Sequence, residues 1–472
     1  MLEQINIKEK VKASISLVTL SGASQKYGTG GPQGPVTAVY GQVLPIVMLN
    51  GLEIQQGMLV RFEIDCMGFM PKINVTIDLS KSKANFFSNV FPRAGDIISI
   101  FMRAPNDTLK PIRNDYEVIT VDYLGSGIPG DAGSSTVRLM GRLYIPGLYA
   151  QKTFAEENTG YEVLKKVATD LSLGFASNED STDDKMKWYG VGNSEMFMNE
   201  VTSHTWKNEE SFFTSFIDFY YNLNLINVNK QFTFSEDGQP GVVSDLNVRI
   251  PEEQKTFELE QKLFSLTNNP TFTSLNNFIT NFNIINNASL ISAKEGITKD
   301  YTFYDYTSKS AVVDVLPPLI TKDAPPTVVS VSSMPTLGLQ PSKAWLGMQY
   351  SEPIGNVHKN YNFAKLVNNF NLYEIEKIIV ETRLASPNFF IHKGQRIGAV
   401  IYNYGDPAET ISSNNKAEQL FSNKTPGVIN KFLTGFYYVK GYRLIYDPTV
   451  SVGFSQVVYL TRREWERSLN RQ

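Results

Sequence analysis

The stretch FLTGFYYVKGYRLIYDPTVSVGFSQVVYLTRREW, Phe432–Trp465, contains two runs rich in Tyr, Val and Ile that are separated by Asp447 and Pro448. Such runs are typical of β-strands, and an Asp-Pro pair between them predicts a turn. We therefore expect the chain to close with a strand pair. The same rhythm occurs once already, near the other end of the sequence.

The earlier copy of this rhythm lies in the first 150 residues. There INVTIDLS, ANFFSNVFPRAGDIISIFM, NDYEVITVDYLG and STVRLMGRLYIP parallel the later KIIVETRLA, PNFFIHKGQRIGAVIYN, TGFYYVKGYRLIYDP and GFSQVVYLTRREW. Each series has an acidic alternating strand, an Asn-Phe-Phe corner (Asn85–Phe87 and Asn388–Phe390), a Gly-led strand and a closing pair. These matches favour one barrel made twice in the chain; chance similarity between alternating β segments is the alternative.

The expected fold class is mainly β with an α+β insertion: two tube-protein-like β-barrels, a small helical α+β module and a Pro-rich arm. The prolines of the arm cannot donate to a strand ladder, which favours an extended segment over a surface. The predicted divisions are a first barrel at 1–150 with a Gly/Pro loop at 21–36, the α+β module at 151–250, strands that begin the second barrel at 251–310, the arm at 311–359, and the remainder of the second barrel with a C-terminal tail at 360–472.

Two helices are predicted in the module. In NTGYEVLKKVATDLSLGF, Thr159 and Glu162 form a capping box and Gly174 supplies the stop. Asn208 is expected to cap the second helix. Its apolar stripe comprises Phe212, Phe213, Phe216, Ile217 and Tyr220. The stripe is interpreted as packing that fixes the module, with a partner groove as the alternative. LNLINVNKQFTFS then predicts a strand pair with Asn229 at its turn.

Length and composition narrow the class of protein. A chain of 472 residues exceeds one ordinary hydrophobic core, so two to four domains are expected. Lys plus Arg number 44 and Asp plus Glu 47, a net charge of −3, which disfavours stable nucleic-acid binding. No window approaches the 18 apolar residues of a membrane span, so no stable membrane insertion and assembly in the cytoplasm are expected.

The sequence motifs identify no catalytic, cofactor-binding or metal-binding residue. GSGIPG matches a dinucleotide fingerprint only as a string, because a strand follows it and Pro129 interrupts it. The three histidines, His204, His358 and His392, are far apart in sequence. Cys66 is the single cysteine, which favours a buried small hydrophobe over a reactive thiol. Carboxylates that meet in space as a hydrolase pair stay an open alternative.

The C-terminal stretch TRREWERSLNRQ is rich in residue types that dominate interfaces. Arg462, Arg463, Glu464 and Trp465 form the candidate contact to a subunit or neighbour, since Arg and Trp are enriched at interface hot spots. A solvated C-terminal helix is the other interpretation.

The order of the pieces resembles the baseplate hub proteins of bacteriophage contractile tails, a T-even-type family related to secretion-system spike hubs. The resemblance runs over roughly residues 40–466, through GFMPKINVTIDLSK, AGDIISIFMRAP, TGYEVLKKVATDLSLGFASN and QVVYLTRREW. Its most specific part is Trp206–Phe234. The loop at 21–36 and the segment at 311–341 depart from the pattern.

This resemblance implies a structural virion protein of the tail baseplate, without enzymatic activity or cofactor. Three chains, each with two tube-like barrels, would form a homotrimeric ring that joins the six-fold tail tube to the three-fold central spike. Neighbouring partners would be baseplate wedge and tape-measure proteins, and DNA would pass through the lumen without specific binding.

Three alternatives remain at this point. A hub of a phage-derived injection or secretion machine shares the barrels, and a baseplate peptidoglycan hydrolase would need a poised carboxylate or a metal site. A receptor-binding tail protein would be expected to bind glycans.

Overall fold

The computed structural model describes most of the predicted strands and the whole of the first predicted helix. The described residues are 45–55, 57–79, 91–102, 112–125, 135–208, 211–232, 262–264, 279–286, 299–305, 310–316, 348–351, 357–358, 360–361, 364–365, 367–368, 378–384, 387–389, 391–401, 435–448 and 454–462. The Gly/Pro loop predicted at 21–36 lies outside them.

Strands dominate the described residues. They are β1 Ile46–Leu49, β2 Leu52–Glu53, β3 Leu59–Asp65, β4 Lys72–Asp78, β5 Ile97–Met102, β6 Ile112–Gly125, β7 Ser135–Leu143, β8 Lys152–Asn158, β9 Gly174–Ser177, β10 Met186–Gly192, β11 Phe213–Ile217, β12 Asn222–Asn227, β13 Lys262–Phe264, β14 Ile279–Asn286, β15 Lys299–Asp305, β16 Ser310–Leu316, β17 Met348–Ser351, β18 Ile378–Leu384, β19 Arg396–Val400, β20 Gly435–Tyr446 and β21 Phe454–Arg462. The helices are α1 Gly160–Asp170, α2 Ser194–His204 and α3 Val228–Phe232.

Within the described residues, thirteen of these strands form one large curled, mainly antiparallel sheet. Its first half, called unit 1, has the order β2-β1-β5-β6-β7-β4-β3. Its second half, called unit 2, has the order β13-β19-β20-β21-β18-β14. The mainly β class is confirmed. The pairing that would close each unit into a barrel is not among the described strands, so closed barrels stay a prediction.

The two units repeat one topology. The antiparallel series β5-β6-β7-β4-β3 of unit 1 matches β19-β20-β21-β18-β14 of unit 2. The β6–β7 register shifts between Val118 and Thr120, and the β20–β21 register shifts between Val439 and Gly441. Corresponding shifts occur in β3 after Leu59 and in β14 after Ile279. Because bulges are specific features of a strand, shared positions support duplication over chance similarity.

The turn before the Gly-led strand is also shared, and it sets the alignment of the two copies. Gly95 (φ 92°) donates to Val118 O at 2.8 Å, and Gly394 (φ 82°) donates to Val439 O at 2.9 Å. Aligning these glycines pairs Phe91, not Phe87, with the Phe at position 390 in the sequence. The Asn-Phe-Phe match expected from sequence is therefore out of register, and its first copy, Asn85–Phe87, lies outside the described residues.

Helix α1 forms as predicted, although its two ends differ in detail. Thr159 Oγ1 accepts from Glu162 N at 3.4 Å, as in a capping box, but Thr159 N donates to Asn158 Oδ1 at 2.9 Å. The predicted stop at Gly174 is wrong. Ser172 takes the left-handed position (φ 56°) and its N–H bonds Thr169 O, which terminates the helix two residues earlier.

The predicted second helix at 208–220 is wrong. The helix lies upstream as α2, capped by Asn193, whose Oδ1 accepts from Met196 N at 2.9 Å. Phe213–Ile217 forms strand β11, antiparallel to β12. A short run of buried aromatic and β-branched residues satisfies helical spacing and a buried strand equally, so pairing with β12 decides the conformation. Asn208 lies in a turn and its carbonyl accepts from Ser211 N.

The predicted strand pair in LNLINVNKQFTFS is also replaced. Its first half is β12, which pairs with β11 and, in parallel, with β9. Asn229 lies in the short helix α3 and not in a hairpin turn. Asn229 N donates to Asn227 Oδ1 at 3.2 Å, an Asx-type contact that favours a helical turn directly after the strand.

Segments predicted as the start of unit 2 and as the arm contain strands. β13 and β14 join unit 2, whereas β15, β16 and β17 form a small separate sheet. Residues 317–347 of the predicted arm lie outside the described part of the chain. The domain boundaries stay predictions.

Candidate functional site

The feature that joins the two units is an edge-to-edge strand contact. The end of β20 pairs with the end of β3 in antiparallel register, with Leu444 opposite Ile64 and Tyr446 opposite Phe62. All four side chains are almost fully buried, and the rings of Phe62 and Tyr446 stack with centroids 5.2 Å apart. We call this contact the intrachain joint. It makes one continuous sheet from two units.

Charged groups reinforce the outer face of the intrachain joint. Arg443 Nε lies 3.3 Å from Asp65 Oδ2 and 3.7 Å from Glu63 Oε1, with the side chains partly exposed. Lys393 Nζ, from the turn before β19, donates to Met67 O at 2.8 Å and to Gly68 O at 2.7 Å. Partly exposed ion pairs contribute little each, so they select the register more than they hold the joint.

A close backbone approach completes the intrachain joint. Cys66 N donates to Tyr442 O at 2.9 Å, which brings the chain after β3 against β20. A Cβ at Gly441 would lie 2.7 Å from Cys66 O and 3.0 Å from Met67 Cα, so only glycine fits. Burial raises the pKa of the Cys66 thiol, which agrees with the predicted structural role of this cysteine.

Among the described residues, the corresponding strand ends elsewhere have no such contact. The shared topology makes the end of β6 equivalent to the end of β20, and β14 equivalent to β3. No strand among the described residues pairs with β14 on its second side or with the outer side of β6 beyond Val118. We call these stretches the β6 edge (Asp122–Gly125) and the β14 edge (Phe282–Ile285).

Large apolar side chains are exposed on both edges. On the β6 edge, Tyr123 is 54% and Leu124 62% exposed. On the β14 edge, Ile284 and Ile285 are each 37% exposed. Phe91, also half exposed, lies beside the Tyr123 ring with centroids 6.3 Å apart. Exposed apolar strand edges are sites of pairing with another chain, because their backbone groups are also unpaired.

The α+β module contacts the segment that precedes β18 of unit 2 through an amide. Asn368 Nδ2 donates to the carbonyls of Ser203 and Thr205 at 2.9 and 3.0 Å, at the end of α2. Asn368 Oδ1 accepts from Phe213 N at 2.9 Å. One buried side chain thereby satisfies backbone groups at the end of a helix and at the start of β11.

Two histidines lie at the same contact. His204 stacks on Tyr361, and its ring nitrogens face Tyr361 O at 2.9 Å and Glu200 Oε1 at 3.0 Å. The interaction with His204 lowers the pKa of Glu200 to about 2. His358 Nε2 donates to His204 O at 3.0 Å, and burial lowers the pKa of His358 to about 4.

The apolar stripe predicted from the sequence is largely buried. Its buried residues are Phe212, Phe213, Phe216 and Ile217, and Tyr220 is partly buried. Ile217 N donates to Phe69 O at 2.7 Å, and a Cβ at Gly394 would lie 3.0 Å from Phe216 Cζ. Burial raises the pKa of Tyr220 to about 12. These contacts reach both units, so the residues predicted as module packing lie between the module and the sheet.

The structure leaves most of the predicted C-terminal contact untested. Arg462 is the last residue of β21, opposite Ile378 in the register. Arg463, Glu464 and Trp465 lie outside the described residues. Sequence reasoning missed the β6 and β14 edges. The available signal was the adjacent apolar pairs Tyr123-Leu124 and Ile284-Ile285, which break the alternation of their strands.

The described residues contain no group of three or more His, Cys, Asp or Glu side chains that could hold a metal ion. None of the helices in the described part of the chain is long and apolar enough to span a membrane.

Comparisons with known proteins find similar solved structures but no sequence relatives. No known family matches the sequence, and no curated protein does. A Neisseria meningitidis tail protein is similar in structure at 10% identity and TM-score 0.46, over 89% of this chain and 96% of that one. A 43 kDa tail protein of a Shewanella oneidensis prophage has 10% identity and TM-score 0.42, over 89% and 96%.

A third similar structure is an Escherichia coli protein described as a component of the type VI secretion system, at 10% identity and TM-score 0.38, over 89% of this chain and 79% of that one. These names belong to the phage tail and secretion-spike groups that the sequence resembles. Since all three TM-scores are below 0.5, the proposals below rest on the geometry of the chain itself.

Proposed function

We propose that the chain is a structural subunit of a contractile-tail baseplate hub. Three copies would form a ring of six related sheet units that joins a six-fold tail tube to a three-fold central spike. The observation that carries this proposal is the intrachain joint between two units of the same topology. Three chains with two units each supply six-fold repetition within three-fold symmetry.

The joint is of a kind that builds rings. It pairs unlike edges, β20 of one unit with β3 of the other, so the contact is head-to-tail. Head-to-tail contacts either close into a ring or extend as a filament. Closure after six units would match a six-fold tube.

The proposed role is mechanical and needs neither cofactor nor turnover. A net charge of −3 suits a conduit through which DNA passes, because a basic lumen would retain phosphates. Tail tube, central spike, baseplate wedge and tape-measure proteins are the proposed partners, in the tail baseplate of the virion. Arg462, Arg463, Glu464 and Trp465 are the proposed contact to a subunit or neighbour.

The oligomeric state of the purified full chain tests the proposal. Light scattering after size exclusion should give three times the chain mass of 53.0 kDa. Arg463→Ala with Trp465→Ala should weaken assembly while leaving the monomer folded, and an unchanged oligomer size would reject this contact. A persistent monomer, or a mass that is not a multiple of three chains, would contradict the hub. A zymogram on peptidoglycan should show no lysis, and a clear band would favour the hydrolase instead.

A further inference from the structure

We propose that neighbouring chains join by pairing the β6 edge of one copy with the β14 edge of the next, in the register of the intrachain joint. The partner is a second copy of this chain, and the inference rests on the proposed function. It adds which strands meet, which residues face one another and what holds them.

The register follows from the equivalence of the two units. The shared bulges align Val118 with Val439, which places Asp122 and Tyr123 where Arg443 and Leu444 lie. In the same way, Leu59 aligns with Ile279, which places Ile284 and Ile285 where Ile64 and Asp65 lie. The intrachain joint sets Arg443 opposite Asp65 and Leu444 opposite Ile64. The interchain contact therefore sets Asp122 opposite Ile285 and Tyr123 opposite Ile284.

Side-chain burial differs between the intrachain joint and the equivalent positions of the β6 and β14 edges. Leu444 and Ile64 are fully buried at the intrachain joint, whereas their counterparts Tyr123 and Ile284 are 54% and 37% exposed. By the alignment, Tyr123 and Ile284 lie on the same side of their strands as Leu444 and Ile64 do. Pairing the two edges would cover both side chains and would satisfy their backbone groups, which removes the reason for their exposure.

A second copy fits these edges better than an unrelated chain. It carries both edges, so each copy can offer its β6 edge to one neighbour and its β14 edge to the other, which covers both of these edges in a closed ring. Each edge also has the bulge that its counterpart has at the intrachain joint, and bulges set the local twist of a strand. The two strands can thus meet with the twist already present in the sheet.

The outer face of the proposed interchain contact differs from that of the intrachain joint. Arg443 and Asp65 form an ion pair there, whereas Asp122 and Ile285 at the equivalent positions do not. Leu124 replaces Ile445 and Asn283 replaces Glu63. The interchain contact therefore relies on apolar pairs such as Tyr123 with Ile284 and has no ion pair, so we expect the trimer to persist when the ionic strength is raised.

Disulfide cross-linking tests the register directly. In a full chain carrying Asp122→Cys and Ile285→Cys, the two thiols would lie on directly opposed residues, within the span of a disulfide. The control pair is Asp122→Cys with Asn281→Cys, because Asn281 is four residues further along β14, about 13 Å away. Cys66 stays in all variants, since it is buried.

Oxidation of the opposed pair should give covalent dimers and trimers on a denaturing gel, whereas the control pair should stay monomeric there. Mixing the two single variants should stop at dimers, because each chain then carries one introduced thiol. A protein that is trimeric by light scattering but does not cross-link would overturn this pairing and leave the hub proposal intact. A protein that is monomeric at every concentration would overturn both.

Charge substitution gives an independent readout. Ile284→Glu should shift the trimer to monomer, because it places a carboxylate in the apolar contact. Val191→Glu is the matched control, since Val191 is 68% exposed on β10, outside both edges. Circular dichroism would establish that both variants fold. Equal trimer content in the two folded variants would contradict the proposal.

Discussion

The intrachain joint and the β6 and β14 edges, which pair with no further strand among the described residues, are the same structural position with different surroundings. At the joint, Leu444 and Ile64 are fully buried and a partly exposed ion pair of Arg443 with Asp65 accompanies them. On the edges, Tyr123 and Ile284 are exposed, and no ion pair can form at the equivalent outer positions. Units within one chain meet at high effective concentration, so weak polar contacts suffice there. A contact between separate chains needs more apolar area.

The largest expected effect comes from replacing a buried tyrosine in the core of each unit, which tests whether the two cores are equivalent. Tyr116 and Tyr437 occupy matching positions opposite Ile98 and Ile397 and are fully buried. Tyr116→Ala and Tyr437→Ala should each cost about 3–5 kcal/mol in the free energy of unfolding, because each leaves a large cavity. Urea unfolding of the two variants would measure it.

The control for this comparison removes only a hydroxyl. Tyr116 Oη is buried without a hydrogen-bond partner among the described residues. Tyr116→Phe should therefore leave the unfolding midpoint unchanged or raise it, because an unpaired buried polar group is removed. A loss in Tyr116→Phe as large as in Tyr116→Ala would show that the ring is not what the core requires.

The next-largest effect concerns the close backbone approach at Gly441 in unit 2. Gly441→Val should destabilise the protein by about 1–3 kcal/mol, because its side chain would push the backbone of Cys66 and Met67 away from β20. Thr120 is the equivalent residue of β6, and no described strand pairs with β6 there besides β7, so Thr120→Val should change little. Thermal unfolding of both variants would compare them, and equal losses would contradict the asymmetry.

A pH dependence is expected at the contact between the module and the segment that precedes β18. The pKa of His358 is lowered to about 4, so the folded protein keeps it neutral where the unfolded chain protonates it. Stability is therefore lost as the pH falls from about 6.5 to about 4. Glu200, whose pKa is lowered to about 2, adds a further loss of stability as the pH falls below the ordinary pKa of a glutamate. Lys365 and His204 face the same carboxylate.

Thermal midpoints measured between pH 7 and pH 4 would show this loss, and His358→Gln should flatten the upper part of the profile. A variant with the unchanged profile would assign the dependence to other groups.

The smallest expected effect concerns the ion pair of the intrachain joint. Arg443→Ala should cost about 0.2–1 kcal/mol, since Arg443 and Asp65 are partly exposed. The difference from the natural protein should shrink in high salt, as measured by urea midpoints. A loss of several kcal/mol that salt does not change would mean that the contact of the Arg443 guanidinium with the Tyr459 ring, 5.5 Å from its centroid, outweighs the ion pair.

The sequence predicts the parts of this fold that are local. Period-two runs correctly indicate the strands of both units, and Thr159 correctly indicates the start of α1. The sequence wrongly predicts Phe213–Ile217 as helix, because a run of five residues with four of them buried carries no distinguishing period. Ser172 replaces the expected Gly174 at the helix end because backbone hydrogen bonds outweigh the cost of a left-handed serine.

The candidate site depends on contacts that no local pattern contains. The pairing of β20 with β3 brings together residues from opposite ends of the chain, and strand periodicity does not specify which edges meet. The rhythm of the sequence indicates the duplication. The structure adds the common bulges, the joint and the two edges that lack a partner among the described strands.

Electron microscopy of the purified full chain, viewed down the assembly axis, tests the central claim most directly. The account predicts closed rings of three chains in which six similar sheet units are evenly spaced, alternating between intrachain and interchain joints. Rings with another number of chains, open filaments, or particles that stay single at high concentration would contradict it.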